Sequence, residues 1–207
     1  MITLYIDTSD KDVSIAIIKD GNILSEIQKE IPNEHSVYTV PFINKALDKS
    51  NLKPDDIDNI MVVNGPGSFT GVRIGVTIAK VYAYLLHKEI RTISSLKALA
   101  LSTDNNYILS LIDAKHNNYY LGLYDQDYNE VVKEGFYNLD TVNNLIKKYN
   151  PVVVTNSDIK INNNTYYKQK INIPKIISFY LQEKAINPHL VVPNYLKLPQ
   201  AMEQRHD

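Results

Sequence analysis

Two carboxylates at strand ends and one glycine turn are the residues of this chain whose types and spacing could do chemistry. Asp7 closes the apolar run at residues 3–6, with Thr8 and Ser9 behind it, and Asp113 closes the run at 107–112 in the same way. A carboxylate so placed can hold a divalent cation through water and orient a nucleotide. It can equally be a plain turn residue, since Asp hydrogen-bonds its own backbone there. Asp7-Thr8-Ser9-Asp10 has no glycine to let backbone approach a phosphate closely, which argues against tight nucleotide binding. The glycine turn Gly65-Pro66-Gly67 opens a helix whose first N–H groups, at Ser68 to Thr70, could cradle an anion. Gly71 is then followed by Val72 and Arg73, so the phosphate-loop ending Gly-Lys-Ser/Thr is missing. Ser68 has Pro66 and Thr70 two residues to either side, so it is no nucleophile elbow.

The remaining candidates are excluded by type. The five histidines are His35, His87, His116, His189 and His206, and none pairs at i, i+4 as a helical metal site requires. His35, at the start of a helix, is expected to cap it or to serve an interface rather than to act as a base. There is no cysteine, which removes disulfides, thiolate catalysis and thiolate-held zinc together. With 22 Lys and Arg against 23 Asp and Glu, the net charge of −1 gives no general attraction to RNA or membrane, so if the function concerns RNA another component is expected to hold it. The opening residues lack the basic and apolar regions of a signal peptide, and a cytoplasmic address is expected.

The elements that must position these residues follow from periodicity. Residues 60–64 form a short apolar run suited to a strand covered on both faces. Ser68 is the expected N-cap of a helix beginning at Phe69. At ~100° per residue, Thr70, Arg73, Thr77, Lys80 and Tyr84 share a narrow polar stripe. Ile74, Ile78, Val81 and Leu85 make a bulky sector, and Gly71, Gly75, Ala79 and Ala83 a smooth one. An apolar arc so broad must be packed on two sides. Both neighbours could belong to this chain, or the smooth sector could admit a helix of another protein, in which case leucine at Gly75 would hold the two apart. Arg73 and Lys80 argue against a membrane span.

Strands are expected at 3–6, 13–18 and 23–27, with Asp20-Gly21 as a hairpin turn. Asn33 or Ser36 should cap a helix reaching Ser50, with Val37, Val40, Ile43 and Leu47 inward and Pro41 bending it. A short strand at 92–93 and a helix from Ser94 or Ser95 to about Leu101 follow. The opening order then recurs: strands at 107–112, 119–124 and 130–136, a helix over 139–149 and a strand at 152–154. Residues 156–170 are expected to be a loop with an edge strand at 165–167. Residues 174–184 should form a last helix, and the segment from Asn187 an irregular surface tail. The repeated order implies an α/β fold of two ribonuclease-H-like halves with mixed sheets, 1–103 and 104–207, as in actin/Hsp70-type ATPases.

Asn64-Gly65-Pro66-Gly67-Ser68-Phe69-Thr70-Gly71-Val72-Arg73-Ile74-Gly75 resembles the signature of the TsaB (YeaZ) family. Ile6-Asp7-Thr8-Ser9, Leu111-Ile112-Asp113-Ala114 with Tyr120, Pro193-Asn194-Tyr195-Leu196-Lys197 and Ala201-Met202-Glu203 extend the likeness along the whole chain. The resemblance implies the actin-like fold. It also implies a non-catalytic subunit, required for threonylcarbamoylation of the adenosine beside the tRNA anticodon, that dimerises with the catalytic paralogue TsaD and supports its complex with TsaE. TsaD carries His-x-x-x-His where this chain has Ser95 and Leu99, so no metal is expected. The partner-binding residues implied are Val37, Val40, Phe69, Gly71, Val72, Gly75, Val76 and Ala79, with a homodimer forming when the partner is absent. Asp7, Thr8, Ser9 and Asp113 are the candidate nucleotide-binding residues. No tightly bound cofactor is implied, although ATP or ADP could sit in the complex with TsaD. A stand-alone ATP-dependent phosphotransferase of the same fold is the alternative, and a peptidase a more distant one.

Overall fold

The computed structural model describes residues 1–31 and 33–197. Ala201-Met202-Glu203 lies outside the described residues. The chain runs through β1 (Ile2–Asp7), β2 (Asp12–Lys19), β3 (Asn22–Glu30), α1 (His35–Lys49), β4 (Asn59–Val63), α2 (Phe69–Leu85), β5 (Glu89–Ile93) and α3 (Ser95–Ala100). It continues through β6 (Tyr107–Asp113), β7 (Asn118–Asp125), β8 (Glu130–Asn138), α4 (Leu139–Tyr149), β9 (Val152–Thr155), β10 (Ile159–Ile161), β11 (Asn164–Tyr166) and α5 (Ile173–Tyr180).

The first sheet has the order β3-β2-β1-β4-β5. Its first three strands form an antiparallel meander, and β4 and β5 add parallel to β1. The second sheet repeats the first four positions as β8-β7-β6-β9, with β9 parallel to β6 and no described counterpart of β5. Two mixed sheets with one strand order make the α/β, actin-type fold that the duplicated pattern predicts. Side chains alternate along each strand, and three apolar layers result. Leu4, Ile6 and Val62 face α1 and α2; Tyr5, Met61 and Val63 face the middle layer with α3, α5, Ile108 and Ile112; Leu109 and Leu111 face α4.

Ser68 caps α2 as expected, accepting from the Gly71 N–H at 3.2 Å, and Ser94 and Asn138 cap α3 and α4 in the same manner. Several expectations fail. Helix α1 is entered from Glu34 with no side-chain cap, so neither Asn33 nor Ser36 performs that role. Its inner face is His35, Thr39, Phe42, Ile43, Ala46 and Leu47, which leaves Val37 and Val40 outside. Residues 156–170 fold a hairpin, β10 with β11, where only one edge strand was expected. Helix α5 ends at Tyr180, four residues early; just beyond it, Arg91 Nε donates to the Glu183 carbonyl at 2.8 Å and holds the chain against β5.

From residue 186 the chain crosses back to α2. Ile186 bridges to Ile90, Asn194 N–H donates to the Asn64 carbonyl at 2.7 Å, and Val191 enters the first core layer. The expected surface tail is therefore a strap across α2. Among the described residues no helix is long and apolar enough to cross a membrane.

Candidate functional site

Helix α2 presents three sectors to three environments. Gly71, Val72, Gly75, Val76, Ala79 and Ala83 are buried by the chain itself, an arc of ~140° on the same wheel. A side-chain carbon on Gly71 would lie 2.1 Å from the Thr8 carbonyl oxygen, and one on Gly75 2.3 Å from Thr8 Oγ1. Thr8 Oγ1 in turn donates to the Gly71 carbonyl at 2.7 Å. The glycines therefore admit the β1–β2 turn of this same chain, the close approach for which glycine is needed. This corrects five of the expected partner-binding residues: Gly71, Val72, Gly75, Val76 and Ala79 are already covered.

The polar stripe holds the strap. Lys80 Nζ donates to the carbonyls of Val191 at 2.9 Å and His189 at 3.3 Å, and Arg73 Nε donates to the Tyr195 hydroxyl at 2.6 Å. Tyr195 stacks on Phe69 with ring centres 5.4 Å apart, and Arg73 lies over Phe69 at 4.1 Å. Phe69, expected to bind a partner, is thus partly covered from within and 43% exposed.

The bulky sector is what remains open. Val81 is 46% and Leu85 66% exposed, with Ile74 and Ile78 half-buried beneath them. On α1, which packs against α2, Val37 is 60% and Val40 37% exposed. Tyr38, Ile78 and Tyr82 lie at the edge of the core layer the two helices share. Besides Phe69 and Tyr84, which border the strap, Val37, Val40, Val81 and Leu85 are the accessible apolar side chains of this helix pair, and the last two were legible as the bulky sector of the wheel.

The expected nucleotide residues do not assemble. Asp7 and Ser9 line the cleft between the sheets with Asp10, Asp12, Glu26, Asn156 and Lys168, whose enclosed space of about 50 Å³ holds a few waters. Asp113 lines a separate cavity with Lys115, His116, Asp158 and Lys160. Its carboxylate accepts from both Lys115 N–H and Nζ at 2.8 Å. Burial pushes Asp113 up, but the Lys115 contacts outweigh it and the net shift is downward. Thr8 is fully buried and committed to Gly71. The anion cradle is partly filled too, because Ser68 N–H donates to the Ser9 carbonyl at 2.7 Å. Four carboxylates around one lysine would also repel a phosphate.

Ser95 and Leu99, which the resemblance set at the metal-ligand positions, are both buried: Ser95 Oγ lies 3.2 Å from Ser9 Oγ, and Leu99 is in the middle core layer. His35 is neither a cap nor an exposed interface group. It is 8% exposed, and its Nε2 donates to the Asp10 carbonyl at 2.8 Å. Among the described residues no group of three or more His, Cys, Asp or Glu is placed to hold a metal ion.

Burial is the main influence on the Asp7 carboxyl and pushes it above its ordinary value, against the Ser9 N–H and hydroxyl at 2.8 and 2.7 Å, which favour the anion. Its folded value exceeds its unfolded one, so protonation favours the native state. That stability is complete below about pH 4 and is lost as pH rises through the folded value. Asp7→Asn keeps an acceptor for Ser9 without the charge. It is expected to melt above wild type at pH 7, with the difference shrinking toward pH 4; thermal scans at both values check this, and a lower melting temperature at pH 7 refutes it.

The strand order defines the class: an actin-type α/β protein whose β1–β2 turn is packed against its own helices. A family model described as TsaD: tRNA N6-adenosine threonylcarbamoyltransferase matches residues 23–180. The chain belongs to this family, in its TsaB/YeaZ branch. The tRNA threonylcarbamoyladenosine biosynthesis protein TsaB of Bacillus subtilis (strain 168) is 40% identical over 100 residues, 48% of this chain and 44% of that protein. The protein of the same name from Escherichia coli (strain K12) is 31% identical over 135 residues, 63% and 58% of the two chains. The solved structure of YeaZ from Pseudomonas aeruginosa superposes with a TM-score of 0.74 at 20% identity, covering 94% of this chain and all of that one, a likeness of fold. The chain spans about half the length of the curated relatives it matches.

Proposed function

We propose that this protein is a non-catalytic subunit in the biosynthesis of threonylcarbamoyladenosine in tRNA, docking through α1 and α2 onto the catalytic TsaD-type paralogue and supporting its complex with TsaE. The observation that carries this is the contrast between the two candidate sites. The strand-end carboxylates Asp7 and Asp113 line separate cavities and form no common site, while Val37, Val40, Val81 and Leu85 stand open on adjoining helices. Apolar side chains clustered on a helix pair are best explained as an interface. In the partner's absence the same face supports a homodimer. Any ATP or ADP belongs to the assembled complex, and tRNA is met through the partner.

The test is made in cells and in solution. Depleting this protein should lower threonylcarbamoyladenosine in bulk tRNA, measured by mass spectrometry of nucleosides, and an unchanged level would overturn the assignment. The purified protein should co-elute with the catalytic paralogue on size exclusion at micromolar concentration. Separate elution at that concentration would count against the docking mode.

A further inference from the structure

One turn holds both docking helices. Thr8 is fully buried, and its hydroxyl donates to the Gly71 carbonyl in the first turn of α2. The Ser9 carbonyl accepts from Ser68 N–H, and the Ser9 hydroxyl lies 3.2 Å from that of Ser95 at the start of α3. The Asp10 carbonyl accepts from His35, the first residue of α1. The N-termini of α1 and α2 are thus hung from consecutive residues of a turn that contributes none of the exposed apolar surface. The geometry points to Thr8–Ser9–Asp10 as the positioning element of the docking face, with Thr8 and His35 as its two anchors. This inference rests on the docking reading above.

The physical reason is the smoothness of the α2 surface that meets the turn. Gly71 and Gly75 lack side chains that could interlock, so close packing alone leaves the helix free to slide or rotate against Thr8. A hydrogen bond is directional and has one good geometry. Its loss allows α2 other settings, and apparent affinity falls in proportion to the population that keeps the competent one. A fall of that population to about one tenth makes association roughly tenfold weaker. The Asp10–His35 bond does the same for α1. Neither anchor needs to touch the partner.

The experiment measures association with the catalytic paralogue for wild type, Thr8→Val, Thr8→Ser and His35→Leu, each well below its melting temperature, together with hydrogen exchange of the free proteins. Val142→Ala, which cuts a buried side chain of α4 packed on the far sheet, is the control for general destabilisation. The expected result is roughly tenfold weaker binding for Thr8→Val, near wild-type binding for Thr8→Ser, which retains the hydroxyl, and no change for Val142→Ala. Exchange should quicken in the first turns of α2 for Thr8→Val and of α1 for His35→Leu. If wild type does not bind, the docking reading fails and the inference with it. If wild type binds and Thr8→Val binds equally well, the inference alone is overturned. Should Thr8→Val fail to fold, His35→Leu decides, and unchanged binding there is likewise fatal.

Discussion

Gly75→Leu is expected to unfold the protein, or leave it melting far below wild type, instead of yielding a folded molecule that has lost its partner. The position tolerates no side chain because a Cβ there would lie 2.3 Å from Thr8 Oγ1, and at Gly71 one would lie 2.1 Å from a backbone carbonyl. Thr8 cannot retreat: it is fully buried, and the strand that leads into it, β1, pairs with β2 on one side and β4 on the other. Forcing extra carbons into a closed packing of this kind costs about 3 kcal/mol, the upper part of the range for overpacked cores. For a chain of this size that is a melting temperature lower by roughly 6–12 °C. Gly71→Ala, adding a single carbon against the carbonyl, should show the same effect without the bulk of leucine. Thermal melts of both variants check it. A Gly75→Leu protein that melts like wild type yet fails to associate would reverse the assignment and return the smooth sector to the partner.

The reversal shows what was legible and what was not. Local chemistry was: Asp20-Gly21 turned the first hairpin, Ser68 and Ser94 capped their helices, and the strand order recurred after residue 104. The α2 wheel also separated its three sectors correctly. Which sector faces which neighbour is decided by Thr8, some sixty residues away, and by the strap, more than a hundred residues on, and periodicity carries no such information. The four-residue glycine spacing suggested a foreign helix, yet it serves a β-turn of the same chain. The missed strand β10 did have a signal, since Ile159-Lys160-Ile161 alternates ahead of Asn162-Asn163, and Asn162 adopts the positive φ of 54° that a tight hairpin demands. Asp7 and Asp113 matched by position in the repeat, but in space they face separate cavities, one closed by Lys168 and the other turned onto Lys115.

Val81→Asp carries the larger consequence for function. Val81 is 46% exposed in the single chain and lies four residues before the end of α2, and valine and aspartate have similar helix propensities. Replacement should leave stability within about 0.5 kcal/mol of wild type, or about 2 °C in melting temperature. In a docked complex the same carboxylate would be stripped of water with no counter-charge of this chain designed for it, and a buried, unpaired charge costs several kcal/mol. Asp is too short to carry its charge out to the rim as a lysine stem could. Binding to the catalytic paralogue, and self-association where it occurs, should therefore weaken roughly a hundredfold or more, which corresponds to about 2.7 kcal/mol. Val37→Asp tests the same logic on α1, where 60% of the side chain's residue surface is open. Val131→Asp, on the exposed part of β8 at the edge of the second sheet, adds an equal charge away from the helix pair and should change nothing. Isothermal titration of the four proteins decides between the alternatives. If Val81→Asp and Val37→Asp bind as wild type does while folding normally, α1 and α2 are not the docking face; if Val131→Asp weakens binding as much as they do, charge rather than location is responsible.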